Sequence, residues 1–272
     1  MAKRIVFLVA LILATGLFET RTSTADQVRV RYTEGLLHGF VAVRTLDGKT
    51  LATGDSTQVA AGDHITSKLI IKFKDGSVNE ETTVFSQHDK FQVVQYHIVQ
   101  KGPSFKIPLD ATINASTGQI TGHYTENDGQ DRELKEQMEM PPDLANGMVP
   151  TLLENVLESG APANVSMVAF TPKPRLVKLA IAPQGDEPFS IGGVRRKAKH
   201  FMVKVELGPI AGVVAPLVGK QPPDFNIWIL ADEAPVFLRS EGPMYTGGPI
   251  WRIENVGPTW PAASPAKPNN HP

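Results

Sequence analysis

The sequence predicts a mainly β protein: a large curved antiparallel sheet, or open half-barrel, with one short helix and an apolar Gly/Pro-rich covering segment. Apolar and polar residues alternate with a period of two in many segments, as in half-buried strands. Glycine (23) and proline (22) interrupt these segments at the spacing expected of an all-β architecture. Helical periodicity is confined to one stretch.

Residues 65–74 and 109–124 show the alternation most clearly. In the first stretch, Ile65 and Ile71 share one face while Lys68 and Lys72 point the other way. Further strands are predicted in the second half of the chain, and 225–231 is apolar on both faces. Such a strand needs cover on both sides. The later predicted strands are 175–182, 199–207, 225–231, 235–240 and 249–254.

The predicted helix covers residues 143–158. Its apolar residues recur at intervals of four, which places them on one stripe that packs on the sheet. Asp143 can cap its start and Gly160 suits its end. Pro150 lies inside, so the helix is either kinked or begins only near Met148. The stripe consists of Leu144, Met148, Leu152 and Val156.

Residues 1–25 have the features of a secretory signal peptide. Lys3 and Arg4 precede the uncharged stretch 5–18, and cleavage is predicted after Ala25. This uncharged stretch has 14 residues, fewer than the ~20 that a membrane-spanning helix needs. An uncleaved N-terminal anchor is the alternative to a cleaved signal peptide. A periplasmic or secreted protein, without stable transmembrane insertion, is therefore expected.

A single all-β domain is predicted over 26–260, followed by a disordered tail, 261–272, which is rich in proline. A faint repeat at a spacing of 116 residues, for example Phe73 with Phe189, suggests two similar meanders. These pseudo-repeat halves would be 26–140 and 161–260, on either side of the helix.

Composition excludes several function classes. The chain has no cysteine, which removes disulfides, thiolate nucleophiles and a lipoprotein anchor. Its formal charge is −1, and loss of residues 1–25 removes three basic residues and one acidic residue, leaving −3. Such a weak field does not suggest nucleic acid as a partner.

No residue pattern indicates catalysis. The seven histidines lack the spacing of metal ligands, so no metal and no cofactor is predicted. Gly54-Asp55-Ser56 resembles the start of an esterase signature but lacks its other parts. The acidic stretch 126–139 is typical of a solvated face. No catalytic residue is assigned, and the protein is predicted not to be an enzyme.

Apolar and aromatic residues concentrate near the C-terminus, and they are the candidates for lining an apolar-ligand cavity. The uncharged segment Gly208–Gly219 is either a covering flap over such a cavity or core filler. The candidate lining residues are Trp228, Trp251, Phe237, Tyr245, Val213 and Leu217.

This plan of long strands, one helix and an apolar segment resembles the periplasmic lipoprotein-carrier superfamily of half-barrel proteins. It also looks like a family of uncharacterised exported bacterial β-proteins, through Trp228, Asp232, Pro235 and Val236. The first resemblance implies acyl-chain binding on a concave sheet.

The predicted function is therefore non-catalytic binding or carriage of a hydrophobic molecule, such as a lipid, in the cell envelope. The alternatives are a structural or partner-binding module that uses its sheet edges, and an unrecognised hydrolase.

Overall fold

The computed structural model describes residues 27–126, 128–156, 163–171, 173–191, 194–206 and 222–256. Within these ranges the chain forms fourteen strands and one helix, α1, at Val149–Val156. The strands are β1 Leu37–Arg44, β2 Thr50–Ala61, β3 His64–Phe73, β4 Val78–Gln87, β5 Phe91–Lys101, β6 Leu109–Asn114, β7 Gln119–Thr125, β8 Asp131–Gln137, β9 Ala163–Ala169, β10 Arg175–Ile191, β11 Val194–Glu206, β12 Phe225–Leu230, β13 Val236–Pro243 and β14 Ile250–Val256.

All fourteen strands belong to one antiparallel sheet, in the order β8 to β1 followed by β14 to β9. Strands β1 to β8 pair in sequence order, as do β9 to β14, and β1 pairs with β14 to join these two meanders of eight and six strands. The sheet ends at β8 and β9 and does not close into a barrel. The predicted fold class, a large open antiparallel sheet with one short helix, is confirmed.

The sheet curls, so that strands far apart in its order face each other. Tyr96 on β5 stacks on Phe170, just after β9, with ring centroids 6.3 Å apart. We call the concave side the inner face and the opposite side the outer face. Alternate residues of each strand point inward, and the main core lies on the inner face, where Ile113 and Ile229 are fully buried.

Helix α1 lies against this inner face, in contact with β12 and β13, and buries Leu152 and Leu153. It begins at Val149 rather than near 143, because Pro150 can occupy only the first turn of a helix. Asp143 is therefore not its cap. The Asp143 carboxylate instead accepts a hydrogen bond from Ser166 Oγ at 3.0 Å, which ties the helix connection to β9.

The two edges of the sheet are not open templates for another strand. On β8, Asp131, Arg132 and Glu133 are exposed charged residues, which discourage strand addition. On β9, Ser166 forms a parallel bridge with Leu144, so the helix connection covers part of that edge.

Several predictions fall outside the described residues: the signal peptide 1–25, the segment Gly208–Gly219 and the tail 261–272. The two meanders flank α1, and their equivalence at a spacing of 116 stays a prediction. Among the described residues, no helix is long and apolar enough to cross a membrane.

Candidate functional site

The inner face encloses a cavity of about 2230 Å³. Ligand pockets for small molecules usually measure about 300–1,000 Å³, so this cavity is large enough for a long or branched molecule. Leu37, Phe40 and Leu176 line it and are also exposed to solvent, which marks a rim through which a ligand can enter.

One wall of the cavity is apolar. It is built from inward-facing residues of β10 to β13, where strand alternation brings hydrophobic side chains to the inner face. A register shift beside Ile229 interrupts the alternation in β13, whose Ser240 also faces the cavity. Its members are Val177, Leu179, Val203, Phe225, Ile227 and Phe237.

The facing wall, from β2 to β5, is mostly polar, although Leu69 and Ile98 also line it. Glu81 accepts hydrogen bonds from Tyr96 Oη at 3.0 Å and from Asn79 Nδ2 at 3.1 Å. Burial, and then the nearby Glu81 carboxylate, raises the pKa of Tyr96 well above its usual range. The inward polar residues on these strands that line the cavity are Ser56, Gln58, Ser67, Glu81, Thr83, Tyr96 and Gln100.

Glu34 and Glu154 form a carboxyl pair that lines the cavity. Glu154, on α1, accepts a hydrogen bond from the main-chain N–H of Phe237 at 2.7 Å. The side chain of Gln87 holds the main chain of Glu34 on both sides, accepting from its N–H at 2.7 Å and donating to its carbonyl at 2.9 Å. The two carboxyl groups share a hydrogen bond, and Gln58 forms another with Glu34.

Burial, and secondly the neighbouring Glu34 carboxylate, together raise the pKa of Glu154 to about 8. Burial also raises the pKa of Glu34, against the hydrogen bonds from Gln58 and Glu154, which lower it. At neutral pH Glu154 therefore retains its proton, and its carboxyl group donates a hydrogen bond to Glu34.

A second contact fixes the position of Glu34 relative to Glu154. Asn155 follows Glu154 on α1, and its Oδ1 accepts hydrogen bonds from the main-chain N–H groups of Arg31 and Tyr32, both at 2.8 Å. Asn155 is buried, so these bonds are shielded from water. Asn155 thus ties the segment that carries Glu34 to the helix that carries Glu154.

The pH dependence of stability reports on this pair. The folded protein binds the Glu154 proton more tightly than the unfolded chain, so the free energy of unfolding should fall as pH rises from about 4.5 to about 8. One proton contributes a slope of at most about 1.4 kcal/mol per pH unit. Glu154→Gln should flatten this fall, measured by urea unfolding across that range.

Glu133→Gln is the matched control, since Glu133 is exposed on β8. It should leave the profile unchanged. A Glu154→Gln profile as steep as that of the wild type would contradict the assignment of the fall to this carboxyl.

Of the six residues predicted to line an apolar cavity, only some lie at the cavity among the described residues. Phe237 and Tyr245 line it. Val213 and Leu217 lie outside the described residues. The two tryptophans are placed elsewhere, for different reasons.

Trp228 lies on the outer face, because Ile227 and Ile229 on either side of it point inward. Its ring stacks on His200, with centroids 4.4 Å apart, and the Arg239 guanidinium lies 3.9 Å from its centroid. Its Nε1 donates to Glu187 Oε2 at 2.9 Å. Polar and cationic side chains therefore bury Trp228, and it does not reach the cavity.

Trp251 points toward the inner face but is sealed off from the cavity. Phe73, Phe105 and Tyr245 pack around its ring, with centroid distances of 5.2, 6.4 and 6.4 Å. Only 7% of Trp251 is exposed, so its role is to fill the smaller of two core clusters. Of this aromatic group, Tyr245 alone also lines the cavity.

Sequence reasoning missed the carboxyl pair and Gln58. Glu34 and Glu154 are far apart in the chain and belong to no motif. A weak signal was present in β2 and β4, where inward positions such as Gln58 and Glu81 are polar although the strands are central in the sheet. Polar residues at such positions commonly serve binding rather than packing.

No family model and no curated protein matches the chain. It is similar to a solved structure from Brucella abortus, a β-barrel-like protein of domain of unknown function DUF1849, with a TM-score of 0.46 and 9% sequence identity. The similarity covers 83% of this chain and 98% of that chain. The resemblance to the lipoprotein-carrier superfamily has no support at the family level, and the function has to be inferred from the cavity itself.

Proposed function

We propose that the protein is a non-catalytic exported protein that binds a hydrophobic molecule, such as a lipid, in the cavity of its inner face. The cavity volume of about 2230 Å³ carries this proposal, because protein interiors are normally packed to a density that leaves few voids. Its apolar wall is costly to leave in contact with water, and a hydrophobic ligand would cover it.

The two walls suggest that the ligand is amphipathic. The apolar wall of β10 to β13 suits a hydrocarbon body, and the polar wall of β2 to β5 offers hydrogen-bonding groups on the other side. Small-molecule sites usually combine a largely apolar surface with a few polar groups that converge on the ligand.

Export to the periplasm or the exterior is part of the proposal, supported by the signal-peptide features of residues 1–25. The alternative function through the sheet edges is less well supported. β8 carries exposed charges and β9 is partly covered by Leu144, so neither edge invites a partner strand.

Native mass spectrometry of the protein purified from its host envelope tests the proposal. A complex with one co-purified lipid is expected, on a chain whose mass corresponds to an N-terminus at Asp26. A ligand-free mass, together with no binding of the neutral fluorescent probe N-phenylnaphthylamine, would overturn the binding function.

Filling the cavity should abolish binding. Ser240 lines the cavity from β13, between Ile227 and Ile253 on the adjacent strands. Ser240→Phe places a bulky side chain in the ligand space and should weaken probe binding by about tenfold or more, a loss of at least ~1.4 kcal/mol of binding free energy. Fluorescence titration with N-phenylnaphthylamine measures it.

Thr53→Phe is the matched control. It introduces the same side chain at an exposed position of β2. Probe affinity should match the wild type in this variant, and equal losses in both variants would show that the probe does not occupy the cavity.

A further inference from the structure

We propose that Glu34, Glu154 and Gln58 form the head-group subsite of the cavity, and that this subsite selects ligands with a primary ammonium group on an apolar body. This inference rests on the proposed binding function and adds the chemical class of the ligand. The three residues line one cavity and are joined by side-chain hydrogen bonds.

The subsite is built rather than adventitious. Glu154 is held by the main-chain N–H of Phe237 at 2.7 Å, and the main chain of Glu34 is held twice by Gln87. Asn155 joins the two segments that carry the carboxyl groups. Side chains fixed in this way lose little conformational entropy when a ligand binds.

The subsite contains an acceptor without a donor. Gln58 is only 9% exposed, and its Oε1 has no hydrogen-bond partner among the residues that the structure describes. A buried acceptor left without a partner costs free energy, and native proteins rarely retain one without a reason. A donor on the ligand, beside Glu34, would satisfy it.

Charge points to the same class of ligand. Neither Glu34 nor Glu154 has a cationic side chain among the interactions that shift its pKa within the described residues. Glu81, the other half-buried glutamate of the cavity, already accepts from Tyr96 and Asn79. Within the described residues, no cationic side chain therefore pairs with these three glutamates, and the carboxyl pair is the acidic group that is hydrogen-bonded to Gln58.

Basic residues that line the cavity lie toward solvent. Arg31, Lys106 and Lys173 are exposed, as is His38, while Arg175 is half-buried at the start of β10. An anionic head group would meet repulsion at the carboxyl pair, where the low dielectric strengthens it. An ammonium group brings three donors and one positive charge to a set of carboxyl and amide acceptors.

Competition among three twelve-carbon ligands tests the inference: dodecylammonium and dodecanoate below their micelle concentrations, and dodecanol below its solubility limit. Each ligand is titrated against N-phenylnaphthylamine bound to the wild type at neutral pH, and displacement of the probe is measured. Dodecylammonium should compete at a concentration at least about tenfold lower than dodecanoate, with dodecanol between them. In Glu34→Gln/Glu154→Gln this preference should vanish, while the affinity of the neutral probe stays within about twofold.

Two further variants sharpen the result. Glu133→Gln removes one exposed carboxyl elsewhere and should keep the full preference. Gln58→Met removes the unpartnered acceptor at similar volume and should reduce the preference for the amine over the alcohol.

The outcomes separate this inference from the proposed function. Failure of the neutral probe to bind the wild type overturns both. Probe binding with no amine preference, or with a preference that survives in Glu34→Gln/Glu154→Gln, overturns the ammonium subsite and leaves hydrophobic binding intact.

Discussion

Leu153→Ala is expected to lower the free energy of unfolding by about 2–5 kcal/mol. Leu153 lies in α1 and is fully buried in the main core. Because this core joins residues of both meanders around the helix, the lost side chain leaves a cavity that neither meander can fill alone. The midpoint of urea unfolding, followed by circular dichroism, measures the loss.

Leu46→Ala makes the same truncation in the β1–β2 turn, where Leu46 is 50% exposed. Its effect should stay within about 0.5 kcal/mol. Similar losses in the two variants would mean that α1 is not packed in the core as described.

Gly147→Ala is expected to cost about 2–5 kcal/mol, for two separate reasons. Gly147 has a φ of +70°, a conformation that costs a residue with a Cβ about 1–2 kcal/mol. The added Cβ would also lie 2.0 Å from Thr83 Oγ1 and 3.0 Å from the Tyr96 ring. Overpacking of this kind costs about 1–3 kcal/mol more.

Gly129→Ala separates the two contributions. Gly129 has a φ of +80°, but no atom lies within 4 Å of an added Cβ. This variant should lose only the conformational part, about 1–2 kcal/mol. Urea unfolding of both variants gives the comparison, and an equal loss would show that Gly147 does not approach β4 and β5 closely.

Leu153→Ala and Gly147→Ala both change the connection between the two meanders, on which the cavity depends. Gly147 brings this connection against Thr83 and Tyr96 on the polar wall, and α1 then places Glu154 beside Glu34. Loss of the close approach at Gly147 should therefore disturb the subsite as well as the core.

Much of the fold could be predicted from the sequence because strand periodicity is local. Alternation in 65–74 correctly placed Ile65 and Ile71 in the buried set. The stripe of α1 was also correct at Met148 and Leu152, which are buried. The start at 143 was wrong, and Asp143 bonds to Ser166 instead of capping the helix. The alternative start near Met148, predicted from Pro150, agrees with the observed start at Val149.

Trp228 and Trp251 show where composition misled. Tryptophans near an apolar strand suit a ligand cavity, but burial alone does not say which groups cover a ring. The register of β12 with β11 and β13 places Trp228 opposite His200 and Arg239 on the outer face. The turn between β13 and β14 supplies Tyr245, which helps to seal Trp251.

Most strands, the single helix and the face on which most side chains lie are predictable from the spacing of neighbouring residues. The pairing of β1 with β14, the curl of the sheet around a cavity and the meeting of Glu34, Glu154 and Gln58 are seen only in the folded chain. These contacts join residues far apart in the chain. Local periodicity does not indicate which distant segment supplies a contact. That is set by the packing of the whole sheet around α1.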